Sequence, residues 1–300
     1  MTRDNPQGGS QIGGSQIGRS QADRPAIDHL CRLAAVSRAG FYRHVEASAP
    51  LRADTELRGA IQVLALKHRH YGYRRIAHQL RREGVPANHK RVLRLMREDN
   101  LLCLRAKPYV PRTTNSRHGL RIVPNLIFGL VPSGLDQIWV ADLTYIRLSE
   151  DFIYLAVILD ACSRKVVGWA LDATLEARLA LAALDMALEA RCPRPGSLIH
   201  HSDRGVQYAC HDYAGRLEKR GVRPSMSRLA NPYDNAKAES FMKTLKAEEV
   251  NGRAYRSLVH ARQDIGRFLE VTYNQDRLHS ALHYRPPDEF EAELRPIPNA

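Results

Sequence analysis

The sequence predicts an all-helical region followed by an α/β domain, which is built on a mixed five-stranded sheet flanked by helices. Three consecutive stretches rich in Ile, Val, Tyr and Trp predict strands over residues 138–148, 152–159 and 165–171. Helical and extended stretches then alternate as far as residue 273, as expected of an α/β domain. Before residue 102 the apolar residues instead recur at helical spacing.

The helical region has the pattern of a helix-turn-helix unit. Apolar residues share one face of a first helix, Gly84 ends that helix, and Asn88 is placed to cap the next. Basic residues crowd this pair of helices, and we expect them to contact DNA: Arg74, Arg75, Lys90, Arg91, Arg94 and Arg97. An ordinary helical hairpin with a solvated basic face is the alternative, although lining up so much like charge costs stability.

The remaining segments complete the expected organisation of the chain. The repeated GGSQIG at the start predicts a flexible tail. Next comes a short helical segment in which Ser37 is a possible cap, either a small helix-turn-helix piece or a packing hairpin. The predicted boundaries are a tail (1–24), a short helical segment (25–47), a basic helix-turn-helix domain (48–106), a linker (107–132), a catalytic core with a C-terminal helix (133–292) and a tail (293–300).

In the α/β region, helices are predicted over residues 175–190, 208–220, 235–250 and 257–273, and short strands over 197–201 and 222–226. A basic, proline-containing tail is expected to follow the last helix. This order matches the ribonuclease-H-like fold, although periodicity alone does not select that fold over other mixed sheets.

Charge indicates the class of partner. The formal net charge is +13, and residues 61–121 hold 15 Lys or Arg against three acids, a local excess of 12. Such clustering favours nucleic acid over a merely soluble basic surface or a membrane-facing helix. No apolar run approaches the roughly 20 residues needed to span a bilayer. The five separated cysteines suit a reducing cytoplasm and offer no zinc site.

Three acidic residues are candidates for a functional site, although each position also has an ordinary structural explanation. Asp142 lies inside a strand, where a charge is expensive unless it is paired or binds a cation. Asp203 follows a short strand at a position favoured for ligand sites, but SDRG also reads as a plain turn. Glu239 lies on a polar stripe beside the buried face of its helix, where a surface pair with Lys243 is equally ordinary.

Taken together, the three acids predict a metal site. Converging carboxylates repel one another unless a hard cation neutralises them, and oxygen ligands suit Mg²⁺ or Mn²⁺. Two such ions can clamp an in-line phosphodiester displacement, with Lys243 and Lys246 near a DNA phosphate. Asp160 and Asp136 are less apt, because the first is expected to close a turn and the second lies in a loop.

Several sequence blocks resemble a known family. Thirty-five residues separate Asp203 from Glu239, which is similar to the signature of retroviral-integrase-like transposases. The surrounding sequence segments resemble those of the insertion-sequence-three family of bacterial transposases. They are WVADLTYI, YLAVILDACSRKVVGWA, LIHHSDRGVQY, SMSRLANPYDNAKAESFMKTLKAE and YNQDRLHSALHYRPPDEF. Upstream, YGYRRIAHQL and KRVLRLMREDNL resemble its basic helix-turn-helix, so the match runs from about residue 29 to 290.

The resemblance implies a ribonuclease-H-like transposase core with Asp142, Asp203 and Glu239 as metal ligands and Lys246 as the basic residue seven positions further on. It implies that divalent metal ions support a strand cleavage that exposes a 3′-hydroxyl at the element's end. That hydroxyl then attacks a second phosphodiester. It also implies double-stranded DNA as partner, at least a dimer on DNA, a bacterial, nucleoid-associated location, and a protein or fusion partner from an upstream reading frame. The chain resembles the second-frame product of such elements.

Two other functions stay open at this point. One is a DNA-binding regulator that has lost its chemistry, and the other is a ribonuclease of the same fold. We expect His200 and His201 to pack or orient their neighbours rather than act as bases, because metal-bound water needs no histidine to become a nucleophile. Trp139 and Trp169 are expected to lie in the core.

Overall fold

The computed structural model describes residues 24–48, 52–103, 119–149, 151–228 and 231–294. Nearly all of the predicted N-terminal tail, much of the predicted linker and most of the C-terminal tail lie outside these residues. The chain divides into two compact units, Met1–Gly59 and Ala60–Ala300. No helix among the described residues is long and apolar enough to cross a membrane.

The predicted break at Ser37 separates two short helices, α1 (Arg24–Leu33) and α2 (Arg38–Ser48). The Ser37 hydroxyl accepts a hydrogen bond from the amide of Gly40 at 3.0 Å, as a helix cap does. A third helix, α3 (Arg52–Lys67), follows.

Helices α4 (Tyr73–Arg82) and α5 (His89–Glu98) form the expected helix-turn-helix pair. Gly84 has a positive φ of +81°, which glycine adopts without a steric penalty, and it lies just beyond α4. The side chain of Asn88 caps α5 by accepting a hydrogen bond from the Lys90 amide at 2.8 Å. The buried faces of the two helices carry Ile76, Ala77 and Leu80 on α4 and Val92, Leu95 and Met96 on α5.

The predicted mixed five-stranded sheet is confirmed. Its strands are β1 (Ile138–Arg147), β2 (Phe152–Asp160), β3 (Val166–Asp172), β4 (Ile199–Ser202) and β5 (Arg223–Met226). They lie in the order β3-β2-β1-β4-β5. The first three strands pair antiparallel, whereas β4 pairs parallel with both β1 and β5. Strand β1 is therefore central and has a neighbour on each side.

Helices cover both faces of the sheet, and the side chains of β1 point alternately toward one face and the other. Trp139 and Ala141 point into a core with α6 (Ala177–Arg191) and α8 (His211–Lys219). Ile138 and Val140 point into the opposite core, with α9 (Ala236–Leu245) and α10 (Leu258–Arg267). The period of two places Asp142 on the α9 side.

Three helical predictions differ from the structure. The helix expected over 208–220 is two helices, α7 (Val206–Ala209) and α8, because Cys210 between them is extended. Helices α9 and α10 continue as π-helical segments, Lys246–Val250 and Phe268–Asp276.

The expectation of a basic, proline-containing tail after residue 273 is wrong, because α11 (Pro287–Leu294) lies there. Proline fits a first helical position, and the acids Asp288 and Glu289 suit a helix N-terminus.

The close packing of α6 on β3 depends on Gly168. A Cβ at this position would overlap the carbonyl oxygen of Ala183 and lie 2.8 Å from the Cβ of Ala187. We expect Gly168→Ala to lower the free energy of unfolding by about 1–3 kcal/mol, the range of overpacked cores. Chemical denaturation measures the change. The control is Gly215→Ala on α8, where a Cβ meets nothing within 4 Å and should stabilise the helix slightly. Equal effects of the two substitutions would contradict this account of the packing.

Candidate active site

Strand β1 holds Asp142 in the middle of the sheet. The residues before it, from Trp139 to Ala141, are buried on both faces, whereas the Asp142 side chain is partly exposed. Its carboxylate accepts a hydrogen bond from the Leu143 amide at 2.9 Å. Asp142 makes no ion pair with any residue that the structure describes. The described part of the protein therefore offsets only part of the free-energy cost of placing this carboxylate inside a sheet.

The register of the parallel strands brings Asp203 level with Asp142. Val140 on β1 is paired with His201 on β4, and each carboxylate lies two residues further along its own chain. Two-residue steps keep a side chain on the same face, and neighbouring strands are about 4.8 Å apart. The carboxylate of Asp203 also accepts a hydrogen bond from the Gly205 amide at 2.9 Å. A Cβ at position 205 would lie only 3.0 Å from that carboxylate, so the turn favours glycine.

Helix α9 carries Glu239 to the same face of the sheet. Ala238, Phe241 and Leu245 pack into the core beneath the helix. At the helix start, the buried amide of Asn235 donates a hydrogen bond to the carbonyl oxygen of Ala141 at 3.0 Å. That bond ties α9 to the residue preceding Asp142. Glu239 lies one helical turn after Asn235 and is half-buried.

The other predicted site residues influence the pKa of Asp142. Burial raises the pKa of the Asp142 carboxyl to about 7 from its ordinary 3.8, and the charge of Asp203 adds to that effect. Glu239 raises this pKa further. The Leu143 amide and the Lys246 ammonium oppose the shift. Asp203, Glu239 and Lys246 thus each lie within electrostatic range of Asp142.

The amine of Lys246 is held against an aromatic ring. It lies 5.0 Å from the centre of the Tyr145 ring on β1, where a cation is attracted to the ring face. Burial lowers the pKa of Lys246, and the charge of Asp142 partly offsets that effect. Lys243, by contrast, is exposed on α9.

The donor chemistry of this site suits a hard divalent cation. Within the described ranges, no three His, Cys, Asp or Glu side chains already stand as a metal-binding group. Two buried polar atoms nevertheless lack hydrogen-bond partners near the carboxylates, namely the Tyr208 hydroxyl and the Asn235 Oδ1. Burial raises the pKa of Tyr208, as do the charges of Tyr213, Asp203 and Asp142. Oxygen atoms of this kind are the ligands that Mg²⁺ or Mn²⁺ prefers.

The sequence prediction did not include Asn235, Tyr208 or Tyr145 among the site residues. Asn235 precedes Glu239 by four residues, a spacing that puts both on one helical face. Tyr208 lies five residues after Asp203, in the short helix α7 that follows the turn. The i, i+4 spacing is a usable signal for Asn235, whereas the placement of the tyrosines depends on tertiary packing.

The adjacent histidines are buried and hydrogen-bonded. His200 contacts the Tyr213 hydroxyl at 2.9 Å, and His201 contacts the hydroxyls of Ser225 and Ser227 at 2.8 and 3.0 Å. Burial lowers the pKa of His200 to about 3 and that of His201 to about 4. Both imidazoles are therefore neutral and orient their neighbours.

The alternative acids have structural partners. Asp160 is buried and accepts hydrogen bonds from the amides of Asp136, Cys162 and Ser163, so it closes a turn. Asp136 pairs with Arg191 at 2.8 Å. Trp139 is fully buried, whereas Trp169 is half-buried and donates a hydrogen bond to Glu270.

The basic residues of the helix-turn-helix fall into two groups. Arg74, Lys90, Arg91, Arg94 and Arg97 are exposed. Arg94 pairs with Glu98 at 2.8 Å. Arg75 differs, because it is half-buried and its guanidinium lies 5.5 Å from the centre of the Tyr71 ring. Burial and the charge of Arg277 lower its pKa, so Arg75 faces the interior rather than the solvent.

Family models match most of the chain. An HTH-like domain matches residues 52–109, and two integrase core domain models match residues 133–232 and 220–287. An uncharacterized 31 kDa protein of insertion element IS600 from Shigella sonnei is 38% identical, covering 87% of this chain and 97% of that protein. The transposase InsF for insertion sequence IS3A from Escherichia coli (strain K12) is 34% identical, covering 89% of this chain and 94% of that protein.

Solved structures resemble the chain more distantly. The simian T-cell lymphotropic virus intasome bound to PP2A regulatory subunit B56 gamma has a TM-score of 0.43 at 16% identity, covering 80% of this chain and 78% of that chain. The HTLV-2 integrase catalytic core domain in complex with magnesium (dimeric form) has a TM-score of 0.40 at 15% identity, covering 53% of this chain and 98% of that chain. Likeness at this level carries no argument about activity.

The raised pKa of Asp142 predicts a pH-dependent penalty on folding in the absence of metal. Because the folded protein resists ionising this carboxyl, the penalty is absent below about pH 4 and complete above about pH 7. Asp142→Asn removes the charge and keeps the Leu143 hydrogen bond. With chelator at pH 8, we expect this variant to be more stable than wild type by about 1–2 kcal/mol, after allowing for solvent screening.

Chemical denaturation from pH 4 to pH 8 measures this difference, with the exposed Asp212→Asn on α8 as control. The gap between wild type and Asp142→Asn should open as pH rises, and the control should show no such trend. A gap that stays constant with pH would contradict the raised pKa.

Proposed function

The chain belongs to the insertion-sequence-three family of transposases, and on that premise we propose that it cleaves and joins DNA strands at insertion-element ends in a metal-dependent reaction. The family acts in DNA transposition. The observation that carries the finer proposal is the gathering of Asp142, Asp203 and Glu239 on one face of the sheet. Each acid comes from a different element, so their proximity is a property of the fold rather than of a local motif.

The three carboxylates are proposed to hold Mg²⁺ or Mn²⁺, as two ions. Such ions, when bound, activate the attacking oxygen and stabilise the leaving oxygen of an in-line phosphodiester displacement. Asp142 and Asp203 supply ligands from adjacent parallel strands, and Glu239 supplies one from α9. The Asn235 bond to Ala141 holds α9 against β1 and so keeps Glu239 facing the aspartates.

The basic residues of α9 and its extension are proposed to orient the DNA. Lys246 lies near Asp142, and the Tyr145 ring restrains its amine, so it is placed to contact a phosphate beside the carboxylates. Lys243 is exposed one turn earlier and is placed to contact the backbone further along. The neutral, buried His200 and His201 leave the ionisable groups of the reaction to the carboxylates and Lys246.

The DNA partner is proposed to lie across both parts of the molecule. Exposed residues of the helix-turn-helix, Arg74, Lys90, Arg91, Arg94 and Arg97, are proposed to bind the element end as a duplex. Joining two ends requires two active sites, so we propose at least a dimer on DNA. A product of the upstream reading frame, separate or fused by frameshifting, is proposed as a further partner. A regulator without chemistry would share the DNA contacts but need no converging acids.

Removing one metal ligand separates catalysis from DNA binding. We expect Asp203→Asn to reduce Mg²⁺-dependent nicking and joining of DNA carrying an element end by about 10²-fold or more, with end binding retained. Product bands on gels measure cleavage, and mobility shifts measure binding. Asp212→Asn, an exposed acid on α8, is the matched control and should behave as wild type. Equal cleavage by wild type and Asp203→Asn would refute the proposal, whereas binding without cleavage by both would support the regulator.

Lys246 is expected to act on the reacting phosphate. Lys246→Gln removes a charge-assisted contact, so strand transfer should fall by about tenfold. Binding through the helix-turn-helix should persist. Lys219→Gln, at the exposed end of α8, loses the same charge and serves as control. Undiminished strand transfer by Lys246→Gln at limiting DNA would exclude this role.

A further inference from the structure

A cavity of about 210 Å³ lies between helices α4 and α5 and the turn at Tyr284, away from the carboxylates. Arg74, His78 and Arg81 line it from α4, and His89 lines it from the start of α5. The three α4 residues are spaced at i, i+4 and i+7, which puts their side chains on one helical face. Tyr284 closes the cavity from a turn in the C-terminal part of the catalytic core.

The lining of this cavity carries positive charge and no carboxylate. Arg74 and Arg81 make no ion pair with any residue in the described part of the chain. Burial lowers the pKa of His78, and the charge of Arg81 lowers it further. Two uncompensated guanidiniums facing one cavity attract an anion. Each guanidinium is planar and can donate two parallel N–H hydrogen bonds to two oxygens of one phosphate.

The wall opposite the arginines is rigid. The rings of His78 and Tyr284 stack with centres 3.7 Å apart and planes 10° from parallel, which leaves no gap for a base between them. Tyr284 has a φ of +60° and the preceding His283 a φ of +55°. Non-glycine residues hold this left-handed conformation only where their surroundings impose it. Here the Tyr284 amide donates to the His279 carbonyl at 2.8 Å.

Two further contacts hold the turn against α4. Arg82 forms a two-pronged ion pair with Glu289 of α11, with hydrogen bonds of 3.0 and 2.5 Å. The Tyr71 hydroxyl, just before α4, accepts a hydrogen bond from the Leu278 amide at 2.9 Å. The cavity is therefore a built feature of two docked segments rather than a gap between loose ones.

We propose that this cavity binds a backbone phosphate of duplex DNA, so that the helix-turn-helix and the Tyr284 turn hold the same strand. The inference rests on the proposed function, which supplies the duplex. It goes beyond the duplex contacts proposed for the helix-turn-helix alone, because it assigns a sequence-independent anchor to the junction with the catalytic part. Binding there positions the duplex without reading its bases.

The first test removes the charge. We expect Arg74→Gln/Arg81→Gln to weaken binding of a fluorescent duplex about tenfold, and equally for related and unrelated sequences. The slope of affinity against salt concentration should fall by about one, as for one lost phosphate contact. Lys219→Gln/Arg220→Gln at the exposed C-terminal end of α8 removes the same charge elsewhere and should leave both quantities unchanged. Unchanged affinity and slope in the Arg74/Arg81 variant would overturn the proposal.

The second test distinguishes a cavity from open surface charge. Tyr284→Ala and His78→Ala should each weaken binding, whereas Tyr284→Phe, which keeps the ring, should bind as wild type. Thermal unfolding confirms that each variant compared is folded. Normal binding by folded Tyr284→Ala and His78→Ala would overturn the cavity as the site, and Asp203-dependent cleavage would remain to support the proposed function. A wild-type chain that binds no duplex would overturn both proposals.

The third test separates the duplex from the free anion. Inorganic phosphate is titrated into the wild-type protein while the ring proton signals of His78 and His89 are followed. We expect shifts only at concentrations far above those at which the duplex shifts the same signals. Saturation by inorganic phosphate at or below the duplex concentration would overturn DNA as the ligand.

Discussion

The parallel pairing of β1 with β4 is the constraint on which the candidate active site depends. Because Val140 pairs with His201, the two aspartates that follow at equal spacing share one face of the sheet. A slip of one residue would turn one carboxylate to the opposite face. Apolar packing on both faces makes such a slip expensive, since it would move Trp139 out of its core with α6 and α8 and into the opposite core. The hydrophobic core therefore determines the geometry of the acids.

Asp142 differs in its partners from two other acids of the catalytic core, Glu291 and Glu248. Glu291 is paired with Arg191 at 2.6 Å, and Glu248 receives two hydrogen bonds from Arg277. Asp142, by contrast, has one backbone hydrogen bond and acidic neighbours, and its pKa is raised to about 7. A fold that supplies an arginine to its structural acids but none to Asp142 retains a local instability. Such instability is typical of a position that awaits a cation.

Much of the core was accessible from the sequence because its signals are local. The three β-rich stretches, the cap at Asn88 and the acids at strand ends each depend on a few adjacent residues. The split at Cys210 and the π-helical extensions depend on tertiary contacts, which periodicity does not report. The sequence analysis did not include the helix at Pro287–Leu294, although a proline followed by two acids fits the first turn of a helix. Arg75 points inward because Tyr71 and Arg277 lie beside it, and a count of basic residues does not contain that information.

Helix α11 explains how the two functional parts keep a defined relation. Glu289 pairs with Arg82 of the helix-turn-helix, while Glu291, two residues later, pairs with Arg191 at the end of α6. Residues two apart on a helix point in different directions, so one short helix contacts both parts at once. The exposed Arg82 pair is worth little alone, whereas the buried Arg191 pair is costly to break. The core thus fixes α11 firmly, and the Glu289 pair adds to the Tyr71 and Tyr284 contacts that hold α4 against the catalytic core.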